Sequence, residues 1–339
     1  MEYVNLGNSG LKISKIILGC MSYGSSDWQH WVLNEDEALP LLKHAFERGI
    51  NTWDTADTYS NGRSEEIIGK ALRTYEIPRQ GVVIMTKLFF GVDGSGNQPP
   101  IAALAANDGV WVNRVGLSRK HIFDAVEAST KRLGTYIDVL QVHRLDRDTP
   151  GEEIMRALND VVESGMVRYI GASSMAAWEF QLLQTIATQR NWHRFISMQP
   201  YYNLLYREEE REMLPYCRAT GVGLIPWSPL ARGVLARPWG SRDSKRETTD
   251  AFLVGLIRAR ETDVDAAIVN RVEEVARRKG VSMAAVATAW VLGKGCVPIL
   301  GLNSRMRIDE AVENVRVRLG EGDVKYLEDA YLPKPVTGY

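Results

Sequence analysis

The chain has 339 residues, 45% of them hydrophobic, and a formal net charge of −1. That length holds one large core or two smaller ones, and the balanced charge gives no reason to expect nucleic acid or an anionic membrane surface as a partner. The three cysteines, Cys20, Cys217 and Cys296, stand far apart without a CxxC pair, so neither a metal site nor a disulfide framework is expected, and a reducing, cytoplasmic setting fits. The N-terminus lacks the apolar run of a signal peptide. No stretch approaches the roughly 18 apolar residues of a membrane span.

In chain order, VNLG and LKIS flank the turn trio Asn8-Ser9-Gly10 and predict an N-terminal β-hairpin. Short apolar runs then alternate with amphipathic stretches. The predicted strands are 15–19, 50–54, 82–87, 139–143, 169–173, 196–199, 223–227 and 297–301. The predicted helices between them are Glu35–Arg48, Ser64–Arg73, Arg119–Leu133, Glu152–Ser164, Ala176–Thr188 and Glu208–Arg218, followed by 265–279 and 282–293. In Glu152–Ser164 the apolar residues Ile154, Leu158, Val161 and Val162 recur at helical spacing. Such alternation predicts an α/β fold, a closed (β/α)8 TIM barrel running as one domain over residues 1–339. An open doubly wound sheet is the competing reading, but it calls for a GxGxxG fingerprint that the chain lacks. Two long βα loops, 88–118 and 228–264, follow predicted strand ends. In a barrel they sit at the mouth where such folds gather catalytic groups.

Four side chains stand at or just past three of these strand ends: Asp54, Tyr59, Lys87 and His143. A phenol is a weak acid near neutrality, and a nearby ammonium favours its ionised form. A carboxylate beside the ammonium keeps it charged, and an imidazole across the pocket can donate to a carbonyl oxygen. Together they suit protonation of an oxygen that gains negative charge. Singly, each has a plainer reading: turn cap for Asp54, packing aromatic for Tyr59, surface lysine for Lys87, structural histidine for His143.

The run GINTWDTADTYSNGRSEEIIGKAL strongly resembles the signature of the aldo-keto reductase family, as do GMVRYIGASS (165–174) and GLIPWSPLARG (223–233). REEEREMLPYC followed by PWSPLARG resembles the group that includes aryl-alcohol dehydrogenase-like enzymes and potassium channel β-subunits. The resemblance implies a TIM barrel that reduces carbonyls with NADPH, using neither a Rossmann domain nor a metal. It implies a catalytic tetrad of Asp54, Tyr59, Lys87 and His143, with Tyr59 the general acid, its pKa lowered by Lys87. The nicotinamide supplies the hydride chemistry.

The same resemblance implies cofactor contacts. Gly19, Met21 and Asp54 lie at the first strand ends. Ser173, Ser174 and Gln199 would hold the carboxamide, and Ser174 departs from the family's common Asn. Trp227 would stack on the nicotinamide, and Ser228, Pro229, Leu230, Arg232 and Gly233 would begin a loop around the pyrophosphate. Arg246 would bind the pyrophosphate, or else belongs to a solvated charge cluster over 240–248. The last strand runs into Gly301, Leu302, Asn303 and Ser304. Ser304 reads as an N-cap whose helix N-terminus suits a phosphate, and also as a plain cap. Arg307 can pair with the adenosine 2′-phosphate, the argument for NADPH over NADH. Glu310 adjoins Ala311, which stands where the family has an adenine-binding Asn.

For the substrate, Tyr23, Trp28 and Trp31 in one loop and Phe89, Phe90 and Trp111 in another predict an aromatic-lined mouth suited to apolar or aromatic carbonyls. The tryptophans read equally as packing for their loops. Oligomerisation is not legible. Two other functions share these residues. A cofactor-binding regulatory subunit is disfavoured by the presence of His143, which the channel subunits lack. A Schiff-base aldolase using Lys87 is disfavoured by the cofactor-loop motifs.

Overall fold

A computed structural model describes residues 1–93 and 106–338. The hairpin is β1 (Tyr3–Asn5) and β2 (Lys12–Ser14). Eight parallel strands follow: β3 (Ile17–Gly19), β4 (Thr52–Asp54), β5 (Val83–Leu88), β6 (Ile137–Val142), β7 (Val167–Ser173), β8 (Phe195–Gln199), β9 (Gly223–Leu224) and β10 (Ile299–Leu300). Each pairs with its sequence neighbour, and β10 returns to pair with β3. The remaining gap is closed by Val297 N–H donating to Leu224 O (2.8 Å) and Ile299 N–H to Pro226 O (3.1 Å). The sheet is therefore a closed (β/α)8 barrel, as the alternation predicts.

Successive strand residues point to opposite faces, and the chain uses that alternation to make two different surfaces. Leu18, Trp53, Ile84, Leu140, Ile170 and Met198 face outward and pack with the helices in the main core. Ile17, Val83, Met85, Val139, Ile225 and Ile299 face inward and form a separate apolar plug, sealed from below by Leu6 and Ile13 of the hairpin. The hairpin sits tightly there: Asn8 N–H donates to Gly221 O (2.7 Å), and a Cβ on Gly7 would lie 2.4 Å from that oxygen. One step further up the same inward rows stands a layer of charged and amide side chains: Asp54 after Thr52, Lys87 after Met85, Gln141 after Val139, Gln199 after Ser197. The switch from plug to polar layer fixes the barrel's C-terminal end as the reactive one.

The barrel helices are α1 (Glu35–Glu47), α2 (Arg63–Thr74), α3 (Arg119–Leu133), α4 (Gly151–Glu163), α5 (Ala177–Arg190), α6 (Met213–Thr220), α9 (Asp263–Lys279), α10 (Met283–Gly293), α11 (Arg305–Asn314) and α12 (Glu321–Glu328). Most predicted bounds hold within two residues. Three do not. The strand expected over 223–227 ends at Leu224, shortly before Pro226, which has no N–H to donate to a ladder. The helix expected over Glu208–Arg218 begins only at Met213. Its first residues form a 3-10 turn held by Arg207 on Glu210 (2.8 Å) and by Glu208 accepting from Tyr331 (2.6 Å), and Pro215 has no N–H to extend an α-helix upstream. The loop expected over 228–264 contains a 3-10 stretch, Ala231–Ala236, and two short helices, α7 (Lys245–Thr249) and α8 (Ala251–Leu256), N-capped by Ser244 and Asp250. Of the loop expected over 88–118, residues 94–105 lie outside the described residues. No described helix is long and apolar enough to cross a membrane.

Candidate active site

The inward polar layer converges on Lys87. Its Nζ donates to Asp54 Oδ2 (2.6 Å), Thr55 O (2.7 Å) and Tyr59 Oη (3.3 Å), and the side chain is fully buried. Asp54 uses its other oxygen as well: Oδ1 accepts from Gln141 Nε2 (3.0 Å) and Gln199 Nε2 (2.9 Å). Gly171 adjoins Gln141 in the layer, and a Cβ there would lie 2.4 Å from Ser197 Oγ and 3.2 Å from Gln141 Cγ. Both charges are thus hydrogen-bonded as well as paired, the condition under which a buried ion pair is tolerated.

Tyr59 comes from the 3-10 turn after β4, where Ser60 and Asn61 adopt positive φ. Those two residues are fixed by Ser60 Oγ accepting from Ser25 N–H (3.0 Å) and by contacts between Asn61 and Asp93. His143 follows β6 directly, and its N–H donates to Leu88 O (2.9 Å). Its ring meets Tyr59 edge-on at 5.8 Å and Phe90 at 5.2 Å. Its Nδ1 is buried with no hydrogen-bond partner among the described residues.

Electrostatics assign distinct states to these groups. Burial alone would pull the Lys87 ammonium down, but Asp54 and Tyr59 outweigh it and the pKa is raised, so the lysine stays charged. Burial pushes the Tyr59 phenol above its ordinary value, and the opposing pull of Lys87 is the smaller effect. The expected lowering by Lys87 is therefore present but outweighed. Burial, with Arg144 and Lys87 adding to it, pushes His143 well below the usual imidazole range, leaving it neutral.

These groups form one end of a cavity of about 900 Å³ that continues between the β9 and β10 loops. Of the expected contact residues, Gly19, Met21, Asp54, Ser173, Gln199, Trp227, Ser228, Pro229, Leu230, Arg232, Gly233, Arg246, Gly301, Leu302, Asn303, Arg307 and Glu310 line it. Ser174 stands behind the wall, its Oγ accepting from Trp227 Nε1 (3.0 Å). Ser304 caps α11 by accepting from Arg307 N–H (3.3 Å). The turn after Trp227 is tightly wound: Ser228, Ala231, Arg232 and Gly233 all have positive φ. Left-handed non-glycine residues cost about 1–2 kcal/mol each, and such clusters occur at ligand clamps. The turn is braced by Asp250, which accepts from Arg232 (2.6 Å) and Arg246 (2.7 Å) while capping α8. Arg246 also covers the Trp31 ring at 4.1 Å.

The aromatic mouth needs correction. Phe89, Phe90 and Trp31 line the cavity. Tyr23 does not: it is fully buried and its hydroxyl donates to Leu302 O (2.5 Å), tying the first loop to the last. Trp28 packs behind Tyr59, ring centres 6.2 Å apart. Trp111 lies against Gly91 and under the Arg114 guanidinium at 5.0 Å, packing its own loop. Lining residues that were missed include the cations Arg144, Arg147, Arg237 and Lys245. So was Gln141, though a glutamine inside the apolar run VLQV was a visible signal.

A barrel with its polar layer and a deep cavity at the C-terminal rim defines a barrel enzyme. The chain belongs to the aldo/keto reductase family, whose model matches residues 15–332. It is 64% identical over 338 residues to versiconal hemiacetal acetate reductase of Aspergillus parasiticus, covering 99% of this chain and 98% of that one. It is also similar to candidate aryl-alcohol dehydrogenases of Schizosaccharomyces pombe (54% identical, 99% and 97% covered) and Saccharomyces cerevisiae (51%, 98% and 98%).

Proposed function

We propose that this protein is an NADPH-dependent reductase of aldehydes and ketones, with Tyr59 as general acid. The observation that carries the reading is the Lys87 ammonium bridging Asp54 and Tyr59 at the end of the cavity. The cavity fits a dinucleotide phosphate: Arg232, Arg237, Lys245, Arg246 and Arg307 bring cations to its wall. Arg232 Nε there is buried without a partner among the described residues. Trp227, Ser173 and Gln199 would hold the nicotinamide end, and Arg307 and Asn303 the 2′-phosphate. When bound, NADPH supplies the hydride.

The protein's own part is the proton and the orientation. Tyr59, kept protonated by burial, gives its phenolic proton to the carbonyl oxygen as negative charge develops there. Lys87 stabilises the phenolate left behind, and Asp54 holds Lys87 in place. Neutral His143 donates a hydrogen bond to the same oxygen and so orients the carbonyl. Phe89, Phe90 and Trp31 make the entrance apolar, which favours aromatic carbonyls. A Schiff-base role for Lys87 is disfavoured, because its amine is charged and committed to three acceptors. The three cysteines are free and buried, which agrees with a cytoplasmic setting.

The test is a screen of aldehydes and ketones by loss of NADPH absorbance, repeated with NADH. Turnover of aryl aldehydes with NADPH favoured is expected, and absence of turnover with every carbonyl would refute the proposal.

A further inference from the structure

Beside the tetrad stands a cation that the tetrad chemistry does not use. Arg144 follows His143 at the end of β6 and lines the cavity on the wall shared with Tyr59, His143 and Trp227. Its side chain is half-buried. One Nη donates to the backbone oxygen of His143 (2.6 Å), and the guanidinium carbon lies 6.0 Å from the Trp227 ring centre. No carboxylate pairs with it among the described residues. Of the other cavity arginines, Arg147 has Glu179 at 2.7 Å and Arg232 and Arg246 share Asp250, while Arg237 and Arg307, away from the tetrad, pair with no carboxylate among the described residues. The two carboxylates of the cavity wall are also engaged: Asp54 with Lys87 and both glutamines, Glu310 with Ser282 and Asn314.

A guanidinium keeps its proton at any physiological pH and carries five N–H donors. Half-burying one with a single backbone acceptor leaves much of that capacity open to a ligand. Such a group on the wall of a cavity calls for an anionic oxygen from the ligand. His143 cannot serve, since it is neutral here.

We infer that Arg144 is a specificity-determining residue that binds an anionic oxygen of the substrate, so that the preferred substrates are aryl carbonyl compounds bearing a carboxylate or an ionised phenol. The inference rests on the reductase reading given above for its substrate, though not for the anion site itself. Phe89, Phe90 and Trp31 would take the ring, and Arg144 the acidic substituent. Bidentate N–H to carboxylate contact would then fix which face and which carbonyl of the substrate meets Tyr59.

The test compares ortho, meta and para carboxybenzaldehyde with their methyl esters. The wild type is expected to show kcat/KM at least about tenfold higher for one carboxylate isomer than for its ester, the scale of a charged hydrogen bond. In Arg144→Gln that ratio should fall close to one, and Arg144→Lys should keep part of it. A merely structural arginine would change both substrates alike and leave the ratio unmoved. A wild-type acid-to-ester ratio near one for all three isomers, or a ratio unchanged in Arg144→Gln, overturns the inference while leaving reduction of neutral benzaldehyde to support the reductase reading. Binding gives an arm free of turnover and of variant folding: benzoate should quench wild-type tryptophan fluorescence at concentrations at least about tenfold lower than benzamide. Equal quenching by the two overturns the anion site even if no aldehyde is turned over, and tighter benzoate binding supports it in either case.

Discussion

Lys87 Nζ lies 2.6 Å from Asp54 Oδ2, with both side chains closed off from solvent inside the barrel. Removing one member of such a pair leaves an uncompensated charge, at a cost of about 3–5 kcal/mol. Lys87→Met should lose stability on that scale in urea unfolding. Asp54→Asn combined with Lys87→Met should recover most of it, because the amide can still meet Gln141 and Gln199. A Lys87→Met single variant as stable as wild type would contradict the arrangement.

Tyr59→Phe should lower turnover by about two to four orders of magnitude, the usual worth of a general acid. NADPH should still quench tryptophan fluorescence, since the cofactor residues are untouched. The raised Tyr59 pKa adds a directional signature. Reduction needs the protonated phenol and should be level through neutral pH. Alcohol oxidation needs the phenolate and should keep climbing into the alkaline range. Matched pH–rate profiles in the two directions check this.

His121 lies in the first turn of α3, its Nε2 buried without a partner among the described residues, and burial lowers its pKa to about 4. An unfolded histidine takes up its proton near pH 6.5, so between those values the unfolded chain binds more protons than the folded one. The stabilisation is fully present above about pH 6.5 and is lost as pH falls towards about 4, for a total of about 3 kcal/mol. His143 carries the same sign. His121→Gln should therefore show a shallower fall of melting temperature with acidification than wild type; parallel curves would remove the assignment.

Asp250 neutralises two guanidiniums and caps α8 with one carboxyl group. Asp250→Ala should free the segment from Ala231 to Leu256. Faster proteolytic cleavage there, with the barrel core still folded, and NADPH binding weaker by about tenfold or more are expected. Cleavage at the wild-type rate would mean the bracing is redundant.

Arg307 reaches into the cavity with Nη1 on Asn303 Oδ1 (2.5 Å). Arg307→Ala should weaken NADPH binding while barely changing NADH, read by fluorescence titration of each. An equal loss for both would remove the 2′-phosphate role.

Element order and the inward charges were legible because a parallel barrel writes both into local sequence. Apolar runs mark the strands, and a polar residue at a run's end marks the rim. What escaped depends on distance along the chain. Tyr23 reads as a mouth aromatic until its hydroxyl is seen on Leu302, 279 residues away. Nothing near Glu208 announces that Tyr331 and the Lys334 backbone will occupy its carboxylate and hold that turn out of α6. Arg144 was passed over for another reason: an arginine next to a histidine looks like surface until its place on the cavity wall and lack of an acidic partner among the described residues are known.

The two shortest strands, β9 and β10, meet through only two backbone hydrogen bonds, and the loops proposed to grip opposite ends of the dinucleotide spring from either side of that junction. A ligand held by both loops would therefore act as a staple across the barrel's thinnest joint. Occupancy and mechanical integrity become one property, and the resting protein should open first along that line when force or heat is applied without the cofactor.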